Sequence, residues 1–203
     1  MKKAFWAILI AIATISCKSA NSSSTDDEQT ATAIDTTMME KYSDNNTPIF
    51  DDNDGAMAQL YEKEGYAYSK ELEQDAYNGN IEAQQLLASM YAYGIGGVAP
   101  DRKKAYIIYR GLAEHGDADA QAIVGYMLLY GLGPVEDTEM GLEWLAKSAN
   151  QQSAFAFYIL GNFYNYNLES TEATRTQARL YYMSAAKLGQ QEAQAELDKM
   201  AEK

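Results

Sequence analysis

An all-α fold, a short α/α solenoid of stacked helix pairs, is what this sequence predicts, and three observations carry it. Alanine recurs at Ala83, Ala120, Ala156 and Ala193, in steps of 37, 36 and 37 residues, a period typical of stacked supersecondary units. Between these marks apolar residues fall at helical spacing, as in Leu87, Met90 and Tyr91, then pause at a turn and resume. The pause is Gly94-Ile95-Gly96-Gly97 in the first unit and Gly131-Leu132-Gly133 in the second. A phosphate cradle would need backbone N–H groups leading directly into a helix, with a Lys and a Ser or Thr set on the phosphate. Val98-Ala99-Pro100-Asp101 follows instead, so the glycines read as the corner between paired helices.

Each unit then justifies its two helices. Ala88, Gly125 and Gly161 share one place in the first helix, where a small residue lets the partner helix come close. Asp101, Asp137 and Thr174 open the second helix with side-chain oxygens that can accept from unpaired N–H groups. That helix carries Ile108, Trp144 and Tyr181 at one place and Ala113, Ala149 and Ala186 five residues on, large and small sites for interlocking with neighbours. Trp144, with a unit on either side, is expected in the core. The third corner reads Asn167-Leu168-Glu169, and Asn167 is expected to supply the left-handed turn that glycine supplies elsewhere. Upstream, "GYAYSKELEQDAYNG" reads as the second helix of a partial unit with Ala76 and Gly79 near its end. Downstream, Gln191 to Ala201 reads as a helix that covers the open end of the stack.

The ends organise the chain into 1–16, an export signal; 17–53, a tether; and 54–203, the repeat stack. Lys2 and Lys3 precede an apolar run from Ala4 to Ile15 that is short for a bilayer span, which is the build of a signal segment. It ends at Cys17, the sole cysteine, and this resembles a bacterial lipoprotein box, with Thr14 where that box has Leu. The resemblance implies lipidation of Cys17 and attachment to the outer membrane or another face of the periplasm. Residues 18–53 are rich in Ser, Thr, Asn and Asp and poor in regularly spaced apolar positions, as a tether is; a short helix from Ala31 to Lys41 is the one element suggested there. The formal charge is −13, and loss of Lys2 and Lys3 with the signal leaves 14 basic against 29 acidic residues. Nucleic acid, which demands a basic footprint, is therefore excluded as a partner, whereas a basic protein partner suits the charge.

The units resemble Sel1-like repeats, relatives of the tetratricopeptide repeat, on the pattern A-x-x-x-L-G-x-x-Y-x-x-G-x-G-V, D-x-x-K-A-x-x-W and A-x-x-G. Ala83, Leu87, Ala88, Tyr91, Gly94, Gly96, Val98, Asp101, Lys104, Ala105, Ile108, Ala113 and Gly116 take those places, with Gly97 extra in the corner. The second unit has Gln152 where the first has Gly116 and the third Gly189. The resemblance implies a binding scaffold, an adaptor or a neutraliser of a toxic secreted effector. Some secreted members are associated with β-lactams, which makes a cell-wall or β-lactam hydrolase the alternative. Those members carry paired cysteines in each repeat, and no repeat here has one.

For catalysis the residues offer little. His115 is the sole histidine and stands at a helix end before Gly116, where its ring can meet unpaired carbonyls. No HExxH occurs, and no zinc site or other cofactor site can be read. Glu71 and Asp75 lie four apart on one face, the mark of a solvated surface. Binding is the better reading: the first helices of such a stack line its concave side, and their exposed places are expected at Gln85, Ser89 and Ala92, then Ala122, Tyr126 and Leu129, then Tyr158, Asn162 and Asn165. The tyrosines give contact area at low ordering cost with a polar tip.

Overall fold

The computed structural model describes residues 56–202, and the expected signal segment, Cys17 and the expected tether lie outside them. Among the described residues there are nine α-helices and one π-helical turn, and no strand. A partial unit comes first, α1 (Ala56–Glu64) and α2 (Lys70–Tyr77). Three hairpins follow: α3 (Ile81–Tyr93) with α4 (Arg102–Glu114), α5 (Ala118–Leu129) with α6 (Thr138–Asn150), and α7 (Ala154–Asn162) with α8 (Glu172–Lys187). The last helix is α9 (Gln191–Ala201). Each helix packs on the next from α2 to α9, and first helices also approach one another, α5 against α7 and α7 against α9.

Helix starts are fixed by side chains, one orphan N–H at a time. Asn80, Asp117 and Ser153 cap the first helices, and Asp101 and Asp137 cap the second helices of units one and two. In α8 the expected cap, Thr174, is instead the third residue of a reciprocal box: Thr171 accepts from the Thr174 N–H while the Thr174 hydroxyl accepts from that of Thr171. Registry between units comes from buried glutamines. Gln84 donates to the Ala76 carbonyl at 2.9 Å and Gln121, one repeat later, to the Ala113 carbonyl at 3.1 Å.

The corner glycine is needed where it stands. Gly94 ends α3 at φ +70°, and a Cβ there would lie 2.6 Å from Pro100 Cδ. The third corner is built otherwise: α7 runs into a π-helical turn, Phe163–Asn167, and leaves it through extended Leu168. Asn167 has no left-handed backbone, so that expectation is corrected; the chain leaves α7 through the wider turn and extended Leu168 instead. The non-glycine residue with positive φ among those described is Gln152, at +65°, in the place that Gly116 and Gly189 hold in the other units.

Packing between the paired helices follows the small column. Gly125 meets Leu145 and Gly161 meets the Tyr182 ring, both partners fully buried. The core column of the second helices is thus Tyr109, Leu145 and Tyr182, one residue beyond the expected one. Ile108 is buried as well, but Trp144 and Tyr181 are only half-buried. Trp144 lies at the flank of α6 with Lys147 Nζ 4.2 Å from its ring centroid, so its truncation forfeits a partial contact rather than a core. At the far end α9 buries Ala193, Glu192 and Glu196 and turns Gln191, Gln194, Asp198 and Lys199 outward.

Candidate functional site

The places expected on the concave face fall on α3, α5, α7 and the π-helical turn. On α3, Gln85 and Ser89 are half-buried and Ala92 is buried. Gln85 Nε2 donates to Asp117 Oδ2 at 2.8 Å, and the Ser89 hydroxyl lies 3.2 Å from that of Tyr109. On α5, Tyr126 is half-buried while Ala122 and Leu129 are buried. On α7, Asn162 is half-buried and accepts from the Tyr182 hydroxyl at 2.9 Å; Tyr158 is buried with its ring 6.2 Å from that of Tyr182. Asn165, in the π-helical turn, is half-buried.

Exposure of Ala92, Ala122, Leu129 and Tyr158 is therefore corrected. A first helix in a stack touches its own partner and a unit on each side, so only a narrow strip reaches water, and short side chains on that strip are overhung by longer ones. The side chains that do emerge include two that the stripe omitted. Tyr130, four residues beyond Tyr126 and with its ring 5.0 Å away, is 36% exposed. Tyr166, four beyond Asn162, is 61% exposed with its hydroxyl donated to Glu196 on α9. Both follow from the i, i+4 spacing that placed their neighbours.

Acidic groups also sit here. Asp119, half-buried in the first turn of α5, has its carboxyl pushed up to about 6, first by burial and then by the neighbouring charge of Asp117. The folded state then holds this proton more tightly than the unfolded chain does. Its stabilising contribution is complete below the unfolded pKa and is lost as pH rises through about 6. Asp119→Asn is accordingly expected to raise stability at pH 7 by about 1 to 2 kcal/mol, the full linkage value being discounted for partial exposure, and by almost nothing at pH 4. Denaturant midpoints at the two pH values check this; equal shifts at both would remove titration as the cause. Burial likewise raises the phenols of Tyr126, to about 12, and of Tyr130 and Tyr158, so they stay neutral donors at physiological pH.

The remaining candidates are structural. His115 ends α4 with Nδ1 2.7 Å from the Gly111 carbonyl oxygen, the expected cap. Glu71 and Asp75 are exposed. Among the described residues no group of three His, Cys, Asp or Glu could hold a metal ion, and no helix is long and apolar enough to cross a membrane.

Fold and face together define an all-α scaffold of Sel1/TPR-like hairpins. Residues 81–117 and 118–153 each match the Sel1 repeat. The chain is 30% identical over 99 residues to a chitin synthase regulator of Saccharomyces cerevisiae, a match covering 49% of this chain and 14% of the regulator. Among solved structures it is similar to a protective antigen of uropathogenic Escherichia coli strains with an SLR fold, at 33% identity and TM-score 0.57, over 64% of this chain and 27% of the antigen. It is also similar to a Sel1 repeat protein from Oxalobacter formigenes, at 29% identity and TM-score 0.50, over 64% of this chain and 96% of that one. The chain thus spans well under half the length of the yeast and E. coli proteins, and 64% of it shares a repeat architecture with bacterial Sel1-repeat proteins.

Proposed function

We propose that the concave face docks a protein partner that presents basic residues, and that the stack is held in the bacterial envelope by a lipid on Cys17. The observation that carries the docking reading is the charge division between the two rows of helices. The first helices α3, α5 and α7 contain Glu82 and Asp119 and not one Lys or Arg, whereas the second helices α4, α6 and α8 together contain Arg102, Lys103, Lys104, Arg110, Lys147, Arg175, Arg179 and Lys187 against Glu114, Glu139, Glu143 and Glu172. A cationic segment is drawn to the inner side, where Tyr126, Tyr130 and Tyr166 offer ring faces. An adaptor, or a neutraliser of a secreted effector, needs no more than this, and the regulator and antigen to which the chain is similar are compatible with a binding role.

Tyr126→Ala with Tyr130→Ala is expected to weaken partner binding by more than about 2 kcal/mol with helicity unchanged, while raised salt chiefly slows association. Affinity capture from envelope extract followed by titration of the captured partner measures both. A partner bound equally well by the double variant would move the site elsewhere. Turnover of a cell-wall or β-lactam substrate by the purified chain would replace docking with catalysis. For the anchor, Cys17→Ser should free the protein from the membrane fraction and abolish fatty-acid labelling, because stable attachment rests on the acyl chains. Labelling that survives the change refutes it.

A further inference from the structure

The second helices turn a row of side chains to water that the stack does not use. In α6 this row holds Glu139, Glu143, Ala146 and Asn150, all exposed. Thirty-seven residues on, at the same places in α8, stand Thr176, Leu180, Met183 and Lys187, also exposed. Leu180 and Met183 leave 52% and 53% of their surface in water, although α6 packs equally well with Glu143 and Ala146 there. The inward face of α8 is made instead by Ala178, Tyr182 and Ala185. Leu180 and Met183 therefore do nothing for the hairpin, and contiguous apolar exposure of this kind marks a contact surface.

The two rows are opposites. The α6 row is acidic, and small at Ala146; the α8 row is apolar and large at Met183 and has Arg179 beside it. Lys147, the one cation of α6, is drawn onto the Trp144 ring, which leaves Glu139 and Glu143 uncompensated on the outer face. Arg175 has Glu172 at 3.6 Å, while Arg179 lies exposed between Arg175 and the Leu180–Met183 pair.

We propose that the outer face of α6 and α8 is a self-association surface on which a second copy docks about a twofold axis, α6 of one chain along α8 of the other. An axis running between the two helices and parallel to them sets equal heights against each other, so each row meets its complement twice. Met183 then covers Ala146 of the second copy, Leu180 lies on the aliphatic stem of Glu143, and Arg179 faces the Glu143 and Glu139 carboxylates. A twofold contact must be self-complementary in this sense: the same patch supplies both the acidic and the basic half. The inner face is left free, so the inference stands apart from partner docking there.

Sedimentation velocity on the full chain, with reductant present so that Cys17 cannot cross-link it, tests the proposal. Four helices with a mixed apolar and charged seam give an interface near the lower limit for stable pairs, so a monomer–dimer equilibrium with Kd on the order of 10 to 100 μM is expected. Leu180→Glu with Met183→Glu should raise Kd by at least about tenfold, since unpaired carboxylates would be buried. Glu143→Arg and Arg179→Glu should each weaken the dimer by about three- to tenfold, and the two together should return it to within about threefold of the parent. All four side chains are exposed, and circular dichroism is the check that each variant keeps its helices. Monomer at every concentration to several hundred μM, a dimer indifferent to the glutamate pair, or a charge exchange no better than its single changes would each overturn the proposal.

Discussion

Gly125→Ala is expected to lower the free energy of unfolding by about 3 kcal/mol, although alanine is the better helix former by roughly 1 kcal/mol. The loss follows from what a Cβ would meet. It would lie 2.7 Å from Leu145 Cγ, 2.8 Å from the Gly141 carbonyl oxygen and 3.0 Å from the Leu145 nitrogen. Leu145 could change rotamer, but two of the three atoms are backbone of α6 and can yield only if the helix moves. Nor is there slack on the other side, because a Cβ at Gly141 would lie 2.9 Å from the Gly125 carbonyl oxygen and 3.0 Å from the Leu129 nitrogen. Helices α5 and α6 thus touch backbone to backbone, and one methyl between them separates Leu145, Leu128 and Ala122 as a group. Gly111→Ala provides the comparison, for it sits in α4 with nothing within 4 Å of the added carbon and should be neutral or stabilising. Denaturation of the two variants side by side decides the matter. A loss below about 1 kcal/mol at Gly125 would mean that the helix pair can widen freely.

How much of this could be read beforehand depends on side-chain size and on angle. Ala83, Ala120, Ala156 and Ala193 gave the period because each is buried at a crowded place where nothing larger fits. Gly125 and Gly161 stood out for the same reason. The matching large column was less legible: Ile108–Tyr109, Trp144–Leu145 and Tyr181–Tyr182 are three pairs of adjacent apolar residues. Neighbours on a helix are only about 100° apart, so both members fall within a wide apolar arc and periodicity alone does not choose between them. The caps Asp101 and Asp137 were visible from their chemistry, but in α8 Thr171 and Thr174 are equivalent oxygens three apart, and only the backbone decides which is the cap. On the concave face, α5 and α7 are apolar almost all round, and no polar face marks the strip that reaches water. Gln85, Ser89, Tyr126, Asn162 and Asn165, expected to be exposed, are half-buried and reach only the edge of that strip. Ala92 and Ala122 shared their angle and not their reach.

The larger loss is expected at Tyr182, where truncation to alanine should cost about 4 kcal/mol. Its ring is fully buried, fills the hollow that Gly161 leaves in α7, and stands 6.2 Å from the ring of Tyr158. Alanine there would leave a cavity bounded on one side by a glycine, which has no side chain with which to collapse into it. The hydroxyl adds a separable part. It donates to Asn162 Oδ1 at 2.9 Å, and burial raises the phenol pKa above its ordinary value, so the hydroxyl stays a donor at physiological pH. Tyr182→Phe keeps the ring and removes only that bond, which should cost about 1 kcal/mol. The difference between the two variants therefore measures the ring alone. A third variant asks whether the hollow and the ring are matched: Gly161→Ala sets a Cβ 2.6 Å from two ring carbons and should destabilise the parent. In the Tyr182→Ala background that clash has no partner, and the same methyl should instead recover part of the loss by filling the cavity. Additive losses in the double variant would show that Gly161 and Tyr182 act independently, and the size-for-size packing between the helices of the third unit would have to be abandoned.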